Sequence, residues 1–126
     1  MSLPPALQEL ANELNKQKQD LQQTVGERQR LETQLQESKI VKLEFDQLDD
    51  EAKIFKMIGP VLVPQDKAEA DSNVSKRMDF IQKQIASVED RIKTLQTSLQ
   101  EKQAELQLKA QELQQQMQQQ QQAASS

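Results

Sequence analysis

Five acidic residues crowd into one short stretch of the sequence, and they are the side chains best able to bind a metal ion. They are Glu44, Asp46, Asp49, Asp50 and Glu51. A calcium loop needs oxygen ligands at fixed alternate positions and a glycine at its sharp turn. This stretch has neither feature, so we expect an exposed acidic connection rather than a metal site.

Other chemistry is limited by the residues that the sequence lacks. It has no cysteine and no histidine, which excludes disulfides, thiol catalysis, thiolate zinc sites and imidazole acid–base chemistry. Its two glycines, Gly26 and Gly59, cannot form a Gly-rich phosphate loop. The net charge is −4, and the basic residues form no stripe with aromatic residues, so nucleic acid is not an expected partner. We therefore expect no enzyme and no cofactor.

The composition favours long helices over a globular core. Of the 126 residues, 35% are hydrophobic and 2% are aromatic, while glutamine is abundant, as is typical of coiled coils. The N-terminus lacks the pattern of a signal peptide, and no window approaches the roughly 20 apolar residues of a membrane span. We expect a cytoplasmic protein without a membrane partner.

Two segments carry helical periodicity. The first helix is predicted over residues 5–49 and the second over residues 73–119, followed by a frayed glutamine-rich tail over residues 120–126. In the second segment, apolar residues alternate at steps of four and three, which is a heptad seam. Candidate N-caps precede that seam at Asp71, Ser72 and Asn73.

An antiparallel pairing of these helices gives specific expected neighbours. They are Leu7 with Met117, Leu10 with Leu113, Leu31 with Ile92, and Phe45 with Met78. At the free end no third layer covers the apolar residues. These residues are either coil core or a partly exposed surface that binds irregular apolar partners. This tip set comprises Leu3, Leu7, Leu10, Leu113 and Met117.

Between the helices, KIFKMIGPVLVP (residues 53–64) predicts a β-hairpin with Gly59-Pro60 in a type II′ turn. Apolar side chains occupy both of its faces. They are Ile54, Phe55, Met57, Ile58, Val61, Leu62 and Val63. An isolated hairpin is marginal in water, and its edges remain unpaired. We expect assembly through this hairpin; the alternative is that it folds onto its own coil base, against Phe45, Leu48 and Phe80.

Three stretches resemble the beta-type subunits of the prefoldin family. They are RQRLETQLQESKIV (Arg28 to Val41), FKMIGPVLVPQ (Phe55 to Gln65) and NVSKRMDFI (Asn73 to Ile81), in the order and at the spacing of that family. The resemblance extends from about Ala11 to Leu113. Two features depart from it: Asp71 stands where an arginine is expected, and the glutamine-rich tail is not a family feature.

The resemblance implies a single prefoldin-like domain over residues 1–126, mainly α-helical, with a long antiparallel helical hairpin. The β-hairpin would join a β-barrel platform in a hexamer of two alpha-type and four beta-type subunits. Such assemblies are ATP-independent chaperones that hold unfolded or nascent proteins such as actin and tubulin and deliver them to the group II chaperonin. The alternative is a structural coiled-coil tether that binds one folded partner.

Overall fold

The computed structural model describes residues 3–125. Helix α1 spans Pro5–Gln47, strand β1 spans Ile54–Ile58, strand β2 spans Val61–Gln65, and helix α2 spans Lys67–Ser125. The two strands form an antiparallel sheet. The predicted fold class, two long helices with one β-hairpin at their connection, is confirmed.

Helix α1 begins where its sequence predicts. Pro5 is its first residue, a position at which the missing N–H of proline has no helical partner to lose. The Gln8 N–H then donates to the Pro4 carbonyl at 3.0 Å, which starts the helical hydrogen bonds. At the other end, the Leu48 N–H donates to the Phe45 carbonyl at 3.2 Å as the helix closes.

Helix α2 begins earlier than the sequence predicted. The Asp66 carbonyl accepts the Ala70 N–H at 2.9 Å, so Asp66 occupies the N-cap position and Lys67 is the first helical residue. The three residues proposed as caps, at positions 71–73, therefore lie inside the helix. The reason is local, because β2 ends at Gln65 and a single residue then connects strand to helix.

The same helix also continues through the glutamine-rich run. It reaches Ser125, so the predicted frayed tail is helical over residues 120–125, and Ser126 lies outside the described residues. Glutamine and alanine are good helix formers, and this run contains no glycine or proline to stop the helix.

Contacts within the chain group into two compact units. The hairpin unit is Gly26–Glu89, and the end unit comprises the residues up to Val25 together with those from Asp90 onward. The expectation of a single domain stays a prediction.

The hairpin unit has a narrow apolar core between its helical segments. Leu35, Ile81 and Ile85 form a buried cluster, which we call the seam cluster, and Leu31 and Met78 pack against it. Burying side chains of this size stabilises the helix pair by about 1.5–3 kcal/mol each when burial is complete. This cluster is the part of the coil seam that the heptad pattern predicted.

In the end unit, polar contacts join the two helical segments. Asp20 Oδ1 accepts a hydrogen bond from Arg91 at 2.9 Å, and Ser98 donates to Gln17 at 3.1 Å. Lys102 donates to Glu13 at 3.2 Å. The partner on α2 moves to higher numbers as the residue on α1 moves to lower numbers, so the segments are antiparallel.

The predicted register of the helices is wrong by about one heptad. The sequence placed Leu31 opposite Ile92 and Phe45 opposite Met78, which would bring Lys42 level with Ile81. Lys42 instead contacts Asp71 and Ser75, which lie six to ten residues earlier in α2. A heptad pattern looks the same after a shift of seven residues, so the apolar spacing alone does not fix the register. The facing helix ends, at Gln47 and Lys67, set it instead.

The same shift carries the last part of α2 past the first residue of α1. Counting outward from the Glu13–Lys102 contact, Pro5 lies level with about residue 110. Residues 111–125 therefore extend beyond the level of Pro5, and we call this stretch of α2 the overhang. The predicted pairs of Leu7 with Met117 and of Leu10 with Leu113 are wrong, because Leu113 and Met117 lie on the overhang.

Candidate functional site

The β-hairpin is closed by a two-residue turn. Ile58 pairs with Val61, so only Gly59 and Pro60 lie between the strands. Gly59 has a φ of 58°, which side-chain-bearing residues rarely adopt. Proline fixes φ near −65°. A positive φ followed by a negative one is the pattern of a type II′ turn, and it excludes type I′, which needs two positive values.

Pairing divides the side chains of the hairpin between two faces. Met57 pairs with Leu62, and Phe55 pairs with Pro64. Because side chains alternate along a strand, these four residues share one face, which we call the apolar face. The opposite face is mixed, since it carries Lys56 and Gln65 among aliphatic residues. Its members are Ile54, Lys56, Ile58, Val61, Val63 and Gln65.

The apolar residues of the hairpin are largely uncovered within the single chain. Met57 is 72% exposed, Leu62 59% and Phe55 50%. Ile58, Val61 and Val63 are exposed as well, and Ile54 is half-buried. A soluble chain rarely leaves so many contiguous apolar side chains in water unless a partner covers them.

The expected alternative cover, the base of the chain's own coil, does not shelter the hairpin. Phe80 is 62% exposed. It lines an open groove of about 480 Å³ on the side of the hairpin unit together with Val41 and Ile81. Leu48 is exposed too, and Phe45 is half-buried near the acidic connection.

The acidic connection between α1 and β1 is held by one lysine. Lys67 Nζ donates to the Leu48 carbonyl at 2.8 Å, and Asp50 Oδ1 lies 3.8 Å from the same nitrogen. The Ala52 N–H donates to the Asp49 carbonyl at 2.9 Å, which folds the connection into a turn. All five acidic residues of this stretch are exposed. Within residues 3–125, no group of acidic side chains has an arrangement that could hold a metal ion.

A second lysine joins the helices near the base of the hairpin unit. Lys42 Nζ lies 3.1 Å from Asp71 Oδ1 and 3.1 Å from Ser75 Oγ, and it donates to both. The sequence did not predict this contact. Asp71 was expected only to cap the second helix, at a position where the family resemblance calls for an arginine. The available signal was Lys42 itself, which falls on the seam four residues after the buried Ser38.

The five residues of the tip set do not share one environment. The expectation that Leu7 and Leu10 are partly exposed is wrong, since they are 5% and 7% exposed and belong to the coil core. Leu3 and Met117 are exposed, and Leu113 is half-buried. The tip set also omitted Leu108. This residue lies off the seam and is exposed in the end unit.

No helix within residues 3–125 combines the length and the apolar character that crossing a membrane requires.

Two long helices joined by a single exposed β-hairpin define a class of coiled-coil proteins, and the comparisons place the chain within it. The sequence profile of the family described as Prefoldin subunit matches residues 8–112. Because this match covers most of the chain, the protein belongs to the prefoldin subunit family.

Individual relatives agree with that assignment. The chain is 43% identical over 79 residues to prefoldin subunit 6 of Saccharomyces cerevisiae, covering 63% of this chain and 69% of the yeast protein. It is 47% identical over 66 residues to prefoldin subunit 6 of Homo sapiens, covering 52% of this chain and 51% of the human protein. The matched segment therefore spans about half of the human relative.

A solved structure shares the fold. The prefoldin beta subunit from Thermococcus strain KS-1 matches with a TM-score of 0.76 at 26% identity, over 84% of this chain and 93% of that chain. The single hairpin between two helices is thus common to both proteins.

Proposed function

We propose that this chain is a subunit of an ATP-independent holdase chaperone, a hetero-hexamer of two alpha-type and four beta-type prefoldin subunits. The observation that carries the proposal is the exposed apolar hairpin on a chain of the prefoldin subunit family. The exposure of this apolar hairpin in the single chain is explained if neighbouring subunits cover it.

The hairpin residues serve as the subunit interface in this proposal. Ile54, Phe55, Met57, Ile58, Val61, Leu62 and Val63 supply the apolar area, and the strand edges supply unpaired backbone groups. The partners are other prefoldin subunits, whose hairpins complete a β-barrel platform. No nucleotide or metal takes part, because binding here depends on apolar contact and backbone hydrogen bonds.

Client capture is assigned to the residues of the tip set that lie outside the coil core. Leu3, Leu113 and Met117 offer apolar side chains around the overhang, and the flexible methionine adapts to irregular partners. Leu7 and Leu10 support this surface from the coil core. Each contact is weak, so useful affinity for an unfolded client comes from several arms acting together while each contact stays releasable.

The test is aggregation of unfolded actin diluted into buffer, followed by light scattering, with the chain assembled with its sister subunits. The variant Leu3→Ser/Leu113→Ser/Met117→Ser should reduce protection several-fold while the mass of the assembly stays unchanged. The matched control is Ile40→Ser/Leu43→Ser, which removes exposed apolar residues from α1 outside the tip and should protect like the wild type.

The possible outcomes separate the two functions raised by the sequence. Unchanged protection by the tip variant would remove these residues from client binding. If the wild-type assembly fails to suppress aggregation and instead forms a saturable complex with a native protein, the chain is a structural tether. Release of held actin on addition of a group II chaperonin, without nucleotide, would support delivery to that partner in the cytoplasm.

A further inference from the structure

The hydrogen-bond ladder of the hairpin makes its two outer edges unequal. In a two-residue turn, the carbonyl before the turn accepts the N–H after it, so Ile58 and Val61 form a hydrogen-bonded pair. Pairs along an antiparallel ladder alternate between bonded and non-bonded. The next pair, Met57 with Leu62, is therefore non-bonded, and the N–H and carbonyl of both residues point outward.

The same alternation explains how a proline sits inside β2. Phe55 pairs with Pro64, two steps beyond the Met57–Leu62 pair, so this pair is also non-bonded. Pro64 has no N–H, but at this position no internal hydrogen bond is lost. The missing donor is instead on the outer edge of β2, level with Phe55.

The outer edges consequently differ in what they offer to another strand. The edge of β1 presents N–H and carbonyl groups at both Phe55 and Met57, whereas the edge of β2 presents an N–H only at Leu62. Among the described residues the sheet has no third strand, so neither edge is paired within the chain. An edge with a complete set of donors pairs more strongly than one interrupted by proline.

We infer that the outer edge of β1 is the principal pairing edge of the hairpin, and that its occupant is a β-strand from a different prefoldin subunit. This inference rests on the proposed assembly through the hairpin and adds a direction to it. Pairing through β1 also extends the apolar face onto the neighbour, since Phe55 and Met57 lie on that face.

A second copy of this chain is a poorer occupant of the same edge. When two β1 edges pair antiparallel so that all outward groups at Phe55 and Met57 are used, Lys56 lies directly opposite Lys56 of the second copy. Like charges directly opposite across strands are destabilising. A sister subunit without lysine at the facing position avoids this repulsion.

The test compares proline and alanine variants at matched positions on the two strands. Met57→Pro removes an outward N–H from β1, and Leu62→Pro removes one from β2, while the internal ladder of the hairpin is kept in both. Met57→Ala and Leu62→Ala correct for the lost side chains. Each full-length variant is titrated with the sister subunits, and the assembly is quantified by native mass spectrometry.

We expect Met57→Pro to assemble about tenfold more weakly than Met57→Ala, because it loses one hydrogen bond to the neighbouring strand. Leu62→Pro should stay within about threefold of Leu62→Ala. Equal losses on the two strands, or a larger loss on β2, would overturn the preferred edge while leaving assembly through the hairpin intact.

Two further outcomes are also decisive. If none of the four variants changes assembly, both the edge and the proposed hairpin interface are wrong. If the chain alone forms a dimer that Met57→Pro abolishes, the edge is correct, but its occupant is a second copy.

Discussion

The seam cluster and the β-hairpin use similar apolar residues with opposite results. Leu35, Ile81 and Ile85 are buried between two helices of one chain, whereas Met57 and Leu62 stay in water. A helix pair can bury one stripe from each partner, because each helix presents a single apolar face. A two-stranded ribbon has two faces and two edges, so a slender helix pair cannot cover all of it.

The difference indicates that hydrophobic burial acts within the chain and, in the proposed assembly, also between subunits. The seam stabilises the single chain, whereas the hairpin is proposed to stabilise an assembly. Substitutions in the two regions should therefore separate folding of the chain from association of subunits.

Removing the apolar face of the hairpin should break assembly. In Phe55→Ser/Met57→Ser/Leu62→Ser, three side chains each lose about 1.5–3 kcal/mol of burial at the interface, so affinity for the sister subunits falls more than about a hundredfold. Native mass spectrometry measures the assembly, and circular dichroism should show unchanged helix content. A full-sized assembly from this variant would contradict the role of the hairpin.

Truncation in the seam cluster should act on the chain itself. Ile81→Ala is expected to lower the free energy of unfolding by about 2–4 kcal/mol, since it leaves a cavity beside Leu35 and Ile85. Thermal unfolding of the unassembled chain measures this loss. The neighbouring control is Phe80→Ala. Because the Phe80 side chain is exposed, this substitution should change the free energy of unfolding by less than about 0.5 kcal/mol. Similar losses in both variants would argue against the burial of Ile81 and the exposure of Phe80.

The two glycines should respond in opposite ways to the same substitution. Gly59→Ala forces a side chain into a φ of 58° and should weaken assembly by about 1–2 kcal/mol, without changing helix melting. Gly26→Ala places a Cβ where nothing lies within 4 Å and should stabilise α1 by about 0.5–1 kcal/mol. Subunit titration and thermal unfolding measure the two effects, and a reversed sign for either glycine would contradict its assigned conformation.

The smallest expected effect is at the base of the hairpin unit. Asp71→Asn removes the charge beside Lys42, and because both side chains are about one-third exposed, the loss should be about 0.2–1 kcal/mol. Asp71→Arg should destabilise more, because it places two cations together, and Lys42→Glu should restore stability in that background. Urea unfolding at low and high salt measures the contact; a loss that does not shrink with salt would not be electrostatic.

The sequence predicted the elements well because local signals determine them. Gly59-Pro60 between apolar strands predicts a two-residue turn, and the heptad spacing around Ile81 and Ile85 predicts the second helix. The register was predicted wrongly, because a periodic seam is unchanged by a shift of one repeat. Leu3 and Leu7 both fit the apolar spacing near the free end, so the pattern could not distinguish the buried Leu7 from the exposed Leu3.

The Lys42–Asp71 contact could not be predicted from the sequence for a related reason. Two charged residues far apart in the chain become partners only once the helices are aligned. Likewise, the proposed pairing edge follows only from the register of the strands, since Pro64 is harmless at a non-bonded pair and would be damaging one residue away.

Hydrogen exchange over residues 54–65 tests most directly whether neighbouring subunits, and not the chain itself, protect the hairpin. The chain alone and the chain assembled with its sister subunits are compared by mass spectrometry, with the peptide containing Ile81 and Ile85 as the internal reference. If the proposed assembly is correct, the hairpin exchanges rapidly in the isolated chain and is strongly protected after assembly, while the reference peptide changes little. Equal protection of the hairpin in both states would contradict it.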